Sequence, residues 1–259
     1  HRAETRRTAR AIRALITELT EQRMAAIDAG TAPDDLATKI MTTADPQTGE
    51  RFTTAEMVDQ VAIFFLAGHE TSASALGWAL YLLARYPEWQ ERVVEEAAEL
   101  PASPDFGALS RLSTTRDVFR EALRLYPPVP MMVRETTKEE GFRNRVLRRG
   151  SQVVLSPWHL HRQERLWENP DGFDPGRWKS ENGKQCMREA FIPFSAGARV
   201  CTGAGFAMVE GTLLLAMLVR AFRFEVVDGA VPAPLPPLTV RALLARRLCA
   251  TPRQLRLPP

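Results

Sequence analysis

The residue with the most chemical promise is Cys201. It closes the run Phe194-Ser195-Ala196-Gly197-Ala198-Arg199-Val200-Cys201-Thr202-Gly203, and an apolar stretch with helical character starts directly behind it. Free N–H groups at a helix start, together with Arg199, favour a thiolate over a thiol. Gly197 and Gly203 let something flat approach the main chain closely. A lone cysteine is also commonly a buried, inert side chain, and spacing by itself leaves both readings open.

A second group sits on the longest helical run, where Ala67-Gly68 is followed by Glu70-Thr71. The two small residues leave a gap in the helix wall, and an acid and a hydroxyl lie just beyond it. A carboxylate in an apolar helix is costly unless it is hydrogen-bonded or has a chemical task. Thr71 can instead bond back to the Ala67 carbonyl and bend the helix. A third group pairs Glu121 with Arg124, three apart on one helix, with Leu123, Leu125 and Tyr126 around them. Arg177, in Pro175-Gly176-Arg177-Trp178, is placed to join them in a buried structural network.

Other chemistries fail on spacing. The chain has no Cys-x-x-Cys, and His69-Glu70 runs into Thr71-Ser72-Ala73, not the second histidine of a zinc protease. His159 and His161 could share one face of a strand, but no third ligand accompanies them. Ser195 lacks the glycine of a nucleophile elbow. No Gly-x-Gly-x-x-Gly opens a helix after a strand, and no Walker lysine is present. A nicotinamide, flavin or ATP site of the chain's own is therefore not expected.

The elements that must hold these residues follow from periodicity and punctuation. Residues 4–29 read as an amphipathic helix stopped at Gly30, and 34–43 as a short second helix. Thr53 with Glu56 forms a capping box for a helix over about 54–86, stopped by Pro87. Its middle, Val61 to Gly68, is apolar all round and is expected to cross the protein interior; the run is too short for a bilayer. Helices follow over 88–99 and 114–125. Short strands are expected over 131–136, 145–147 and 152–155, then a long irregular loop over 157–190. A helix over 202–221 and strands over 222–227 and 238–244 complete a mainly α chain with minor β, read as a single domain over 1–259.

Composition narrows the partners. With 34 Lys and Arg against 31 Asp and Glu, the net charge of +3 is too small for a nucleic-acid binder. Hydrophobic residues at 45% and charged residues at 25% describe an ordinary folded chain. Three cysteines spread over 186, 201 and 249 make no disulfide framework, which favours a reducing compartment. No signal-peptide pattern follows His1. A chain opening mid-helix without Met reads as a fragment or a processed product.

Taken together, these residues resemble the cytochrome P450 family, specifically its C-terminal portion. The haem signature Phe-x-x-Gly-x-Arg-x-Cys-x-Gly is met by Phe194, Gly197, Arg199, Cys201 and Gly203. The oxygen-activation motif is met by Ala67, Gly68, Glu70 and Thr71. The Glu-x-x-Arg motif is met by Glu121 and Arg124. The Pro-x-Arg-aromatic element is met by Pro175, Arg177 and Trp178, with Gly176 where the family often has an acid. The order of the four motifs matches the family.

The resemblance implies a P450 fold truncated at the N-terminus, with a haem-thiolate loop over 191–203. It implies haem b, with Cys201 as the iron ligand and Phe194 packed beside it. Arg199 and Arg134 would meet haem propionates, and His161 would give structural support or a haem contact. Gly68, Glu70 and Thr71 would serve oxygen binding and proton delivery, with Ala67 and Leu66 lining the distal pocket. The implied reaction is monooxygenation of a small apolar substrate, with electrons from a separate ferredoxin, flavodoxin or flavoprotein reductase. The alternatives are a P450-fold isomerase or peroxygenase, or an inactive remnant. A soluble, cytoplasmic, monomeric bacterial protein without a membrane segment in this stretch is expected.

Overall fold

The computed structural model describes residues 2–101, 104, 106–227, 232–235, 239–242 and 248–253. No linker is visible in the sequence. The chain nevertheless divides into two compact units, His1–His69 and Glu70–Pro259, with the boundary inside one helix.

The first unit holds helix α1 (Arg2–Asp28), helix α2 (Leu36–Thr42) and the first turns of helix α3 (Thr54–Arg85). Gly30 ends the α1 turn with φ +69°, a conformation open to glycine. Asp35 caps α2 by accepting from the Thr38 N–H at 3.0 Å. The capping box of α3 is reciprocal. The Thr53 N–H donates to Glu56 Oε2 at 2.8 Å, and the Glu56 N–H donates to Thr53 Oγ1 at 3.3 Å.

Two apolar patterns behave differently from expectation. On α1, Ile16 is buried while Ile12, Leu15 and Leu19 are exposed. On α3, Ile63, Phe65 and Leu66 are 58%, 65% and 56% exposed, so the middle of the helix is not enclosed here. The buried apolar side chains of this unit are Ile16, Met41, Met57 and Val58. They belong to α1, α2 and the opening turns of α3; within 61–68, residues 61, 62 and 64 are half-buried and the others exposed.

In the second unit, helix α4 (Pro87–Ala98) starts on Pro87 at its first position. Helix α5 (Ser113–Leu125) lacks a side-chain cap of its own. Glu96 of α4 supplies one, accepting from the Thr114 and Thr115 N–H groups at 2.7 and 2.8 Å. Strand β1 (Met132–Glu135) pairs antiparallel with β4 (Gln152–Leu155), and β2 (Glu140–Phe142) with β3 (Arg145–Leu147).

The segment expected as one irregular loop over 157–190 contains helix α6 (Pro157–Leu160), a 3₁₀ turn at Pro175–Lys179 and helix α7 (Glu181–Glu189). Helix α7 is polar and carries Gly183, so it shows no apolar period; Ser180 caps it by accepting from the Gly183 N–H. Helix α8 (Ala204–Ala221) follows, then strand β5 (Phe222–Val226). Strand β6 (Pro234–Leu235) pairs with β7 (Arg241–Ala242), and β5 pairs with β8 (Leu248–Pro252). Residues 238, 243 and 244 of the strand expected over 238–244 lie outside the described residues.

The core of this unit joins α3, α4, α5 and α8 through Trp78, Leu83, Val93, Phe119, Ala122, Leu215 and Val219. Gly211 of α8 lies against the ring of buried Phe119, closer than any side chain would allow. Helix α8 is long and apolar enough to cross a membrane by length and composition. Its Thr212, Leu215, Ala216 and Val219 are buried within the unit, while Phe206, Leu214 and Met217 are exposed.

Candidate active site

The site is assembled on a buried polar knot. Glu121 and Arg124 are fully buried, and Arg177 is nearly so. Glu121 Oε2 accepts from Arg124 Nε at 3.0 Å, and Oε1 accepts from Arg124 Nη2 at 2.7 Å. Oε1 also takes Arg177 Nε at 2.9 Å and the Asp174 N–H at 3.1 Å. The remaining guanidinium donors go to main-chain carbonyls. Arg124 reaches those of His161 at 2.9 Å, Pro170, and Gly172 at 2.8 Å. Arg177 reaches those of Glu168 at 2.6 Å, and Asn169 and Gly172 at 3.0 Å each. A loop with no sheet or helix to satisfy its carbonyls is thus satisfied by two cations. Trp167, Trp178 and Phe191 wall the knot, with Arg124 5.3 Å from the Trp167 ring centre.

His161 connects this knot to the cysteine loop. Its Nδ1 lies 3.1 Å from the Arg124 carbonyl, and its Nε2 accepts the Ile192 N–H at 3.0 Å. A carbonyl can only accept and an N–H can only donate, so the ring is neutral with its proton on Nδ1. Burial pushes the imidazole from 6.5 down to about 3, with help from the Arg124 and Arg162 charges. His159 is exposed and bonds to Ser156, so the two histidines do not share a face.

From Ile192 the chain turns sharply. The Ser195 N–H donates to the Ile192 carbonyl at 3.1 Å, and the Cys201 N–H donates to the Phe194 carbonyl at 2.8 Å. Ser195 has φ +67° and Gly197 has φ +71°. A side chain on Gly197 would meet nothing within 4 Å, so its value lies in the backbone conformation. Gly203 differs. Its φ is −86°, and a Cβ there would sit in ordinary contact, 3.8 Å from Cys201 Sγ. Cys201 is a free, exposed thiol just ahead of α8. Arg199 is exposed, in the 3₁₀ turn Gly197–Arg199. Phe194 is half-buried against the core.

Arg134 of β1 donates through Nη2 to Ser195 Oγ at 3.0 Å, which brings the strand to the cysteine loop. The sequence offered no sign of Ser195 as that partner. Ala67 and Gly68 fall in the first unit, and a side chain on Gly68 would meet nothing within 4 Å. Glu70 and Thr71 belong to the second unit and are half-buried. Thr239, which sequence reasoning did not single out, donates through Oγ1 to Glu70 Oε1 at 2.6 Å.

The donor chemistry suits a metal that arrives in a macrocycle. Among the described residues no three His, Cys, Asp or Glu side chains gather as a metal cage. A single exposed sulfur is what an iron already held by four porphyrin nitrogens needs from a protein. Val200 and Phe206, on either side of Cys201 in the chain, are exposed apolar side chains, and Arg134 and Arg199 offer positive charge. The residues fit haem.

The family model for cytochrome P450 matches residues 1–247. The chain belongs to the cytochrome P450 family. Similar proteins include cyclooctatin synthase from Streptomyces melanosporofaciens, 38% identical over 80% of this chain and 46% of that protein. Cyclooctat-9-en-7-ol 5-monooxygenase from the same organism is 35% identical over 84% of this chain and 47% of that protein. Cytochrome P450 4X1 from Homo sapiens is 35% identical over 85% and 44%. The chain spans about half the length of the curated relatives it matches.

Proposed function

We propose that this chain is the haem-thiolate portion of a P450 monooxygenase that acts on a small apolar substrate. Electrons come from a separate ferredoxin, flavodoxin or flavoprotein reductase. The observation that carries the reading is the free, exposed Cys201 thiol at the start of an 18-residue helix, behind a loop with two left-handed residues. A relative named as a monooxygenase supports the reaction class. Three free cysteines support a reducing, cytoplasmic setting.

When bound, haem supplies the activation of dioxygen, and thiolate ligation favours cleavage of the O–O bond. The chain's residues do the rest. Cys201 would hold the iron through its sulfur. Arg134 and Arg199 would pair with the haem propionates. Phe194, half-buried against the core, would pack beside the haem on the cysteine side. Gly68 leaves room beside α3 for a small ligand. The Glu70 carboxyl and the Thr71 hydroxyl would supply protons to the site, each proton given up being replaced from solvent. Over one turnover two electrons and two protons enter, one oxygen atom leaves as water, and the other enters the substrate.

The test is the carbon monoxide difference spectrum of the reduced chain after haem loading. A thiolate-type Soret band is expected, followed by NADPH-driven turnover with a surrogate reductase. Absence of the band would leave the inactive-remnant reading in its place.

A further inference from the structure

His161 is fully buried, and main chain takes up both of its ring nitrogens. Nδ1 donates to the carbonyl of Arg124 in the last turn of α5, and Nε2 accepts from the Ile192 N–H. The two partners lie 37 and 31 residues away in the chain. The rings of Phe191 and Trp167 flank the imidazole, 5.3 and 6.3 Å away centre to centre.

Ile192 opens the segment that ends on Cys201. Residues 191–195 are half-buried and 196–201 are exposed, so the stretch bearing the sulfur is anchored at its inner end. Main-chain bonds carry that anchorage forward. The Ile192 carbonyl accepts the Ser195 N–H, and the Phe194 carbonyl accepts the Cys201 N–H. Behind Cys201 the chain is held by α8. Ahead of it, among the described residues, the side chains that hydrogen-bond the segment from elsewhere are Arg134 at Ser195 and His161 at Ile192. Arg134 reaches in through a long, half-buried side chain with many rotamers, whereas the imidazole is short and enclosed. A part-buried N–H that loses its acceptor turns toward water, and the inner end of the segment would move with it.

We propose that His161 is a positioning residue for the iron ligand: by accepting the Ile192 N–H it fixes the inner end of the segment that carries Cys201, and so keeps the sulfur in place for haem iron. This rests on the reading of Cys201 as that ligand.

The test compares His161→Gln with His161→Asn. The glutamine amide oxygen reaches about as far as Nε2 and can accept the Ile192 N–H; the shorter asparagine amide reaches only as far as Nδ1. His161→Phe replaces His161→Asn if the latter does not fold. The first readout needs no haem. Hydrogen exchange at the Ser195 and Cys201 amides is expected to speed up by roughly tenfold in His161→Asn, the loss of about one hydrogen bond, and to stay near wild type in His161→Gln. The amides of α4 serve as the reference for overall stability. The second readout is the reduced carbon monoxide spectrum of the haem-loaded chain. His161→Asn is expected to lose most of the thiolate-type Soret band, and His161→Gln to keep it. Unchanged exchange at Ser195 and Cys201 in His161→Asn overturns the inference. So does an equal acceleration in α4, or a glutamine variant as impaired as the asparagine one. A wild-type chain without the thiolate-type band brings down the ligand reading, and the inference with it, whatever the exchange shows.

Discussion

His161 receives the main-chain N–H of Ile192 on its Nε2 at 3.0 Å, and this bond fastens the chain leading to Cys201 onto helix α5. The bond exists only while the imidazole is neutral. A proton on Nε2 would face an N–H donor inside a buried site.

A stability change with pH follows. Above pH 6.5 the ring is neutral folded and unfolded, and its contribution is complete. Below that value the unfolded chain takes a proton that the folded one refuses until about pH 3. Stability then falls as pH falls, by about 1.4 kcal/mol per pH unit from this residue. Urea unfolding of wild type and His161→Gln between pH 7 and pH 5 checks this. The advantage of the wild type is expected to shrink by about 2 kcal/mol over that range. A constant difference would reject it.

Glu121 neutralises two guanidinium groups that are out of water. Glu121→Ala leaves both charges buried without a counter-ion. A loss of about 3–5 kcal/mol is expected, read from the urea midpoint. A loss below about 1 kcal/mol would mean that the carbonyls alone suffice.

Cys201 separates ligation from folding because its thiol is exposed. Cys201→Ala is expected to abolish the thiolate-type Soret band of the reduced carbon monoxide adduct. Unfolding free energy should change by less than about 0.5 kcal/mol. Survival of the band would assign the ligand elsewhere.

Gly183 lies under the main chain of Arg177. An added Cβ would be 1.9 Å from the Arg177 carbonyl oxygen. Glycine to alanine in a helix usually stabilises by up to about 1 kcal/mol. Gly183→Ala should instead cost about 1–3 kcal/mol, because a carbonyl committed to the Ser180 caps cannot swing aside. Gly205→Ala in α8, with nothing within 4 Å, is the control and should be neutral or stabilising in thermal unfolding.

What could be read from residue order was the punctuation. Thr53 with Glu56, Pro87 and Gly30 mark helix ends through bonds and torsions confined to a few neighbours, and the structure has those bonds. Strand β2 escaped notice because Glu140-Gly141-Phe142 is short and exposed; only its pairing with Arg145–Leu147 defines it. Strand β8 is likewise defined by β5, far upstream. In the site, the spacing of Glu121 and Arg124 was visible. The carbonyls of residues 161–172 that complete their shell were not, since every residue carries a carbonyl. The Thr239 bond to Glu70 spans most of the second unit and leaves no local trace.

Ser195 stands with φ +67° while its hydroxyl receives Arg134. That combination narrows the alphabet at this codon. Glycine relieves the torsion, worth roughly 1–3 kcal/mol, but forfeits the oxygen. Asparagine and aspartate tolerate the left-handed well and retain an acceptor. Valine, isoleucine and threonine are shut out by their branched Cβ. A saturation library at position 195, sorted by haem uptake, should therefore return a handful of letters, chosen as much by torsion as by chemistry.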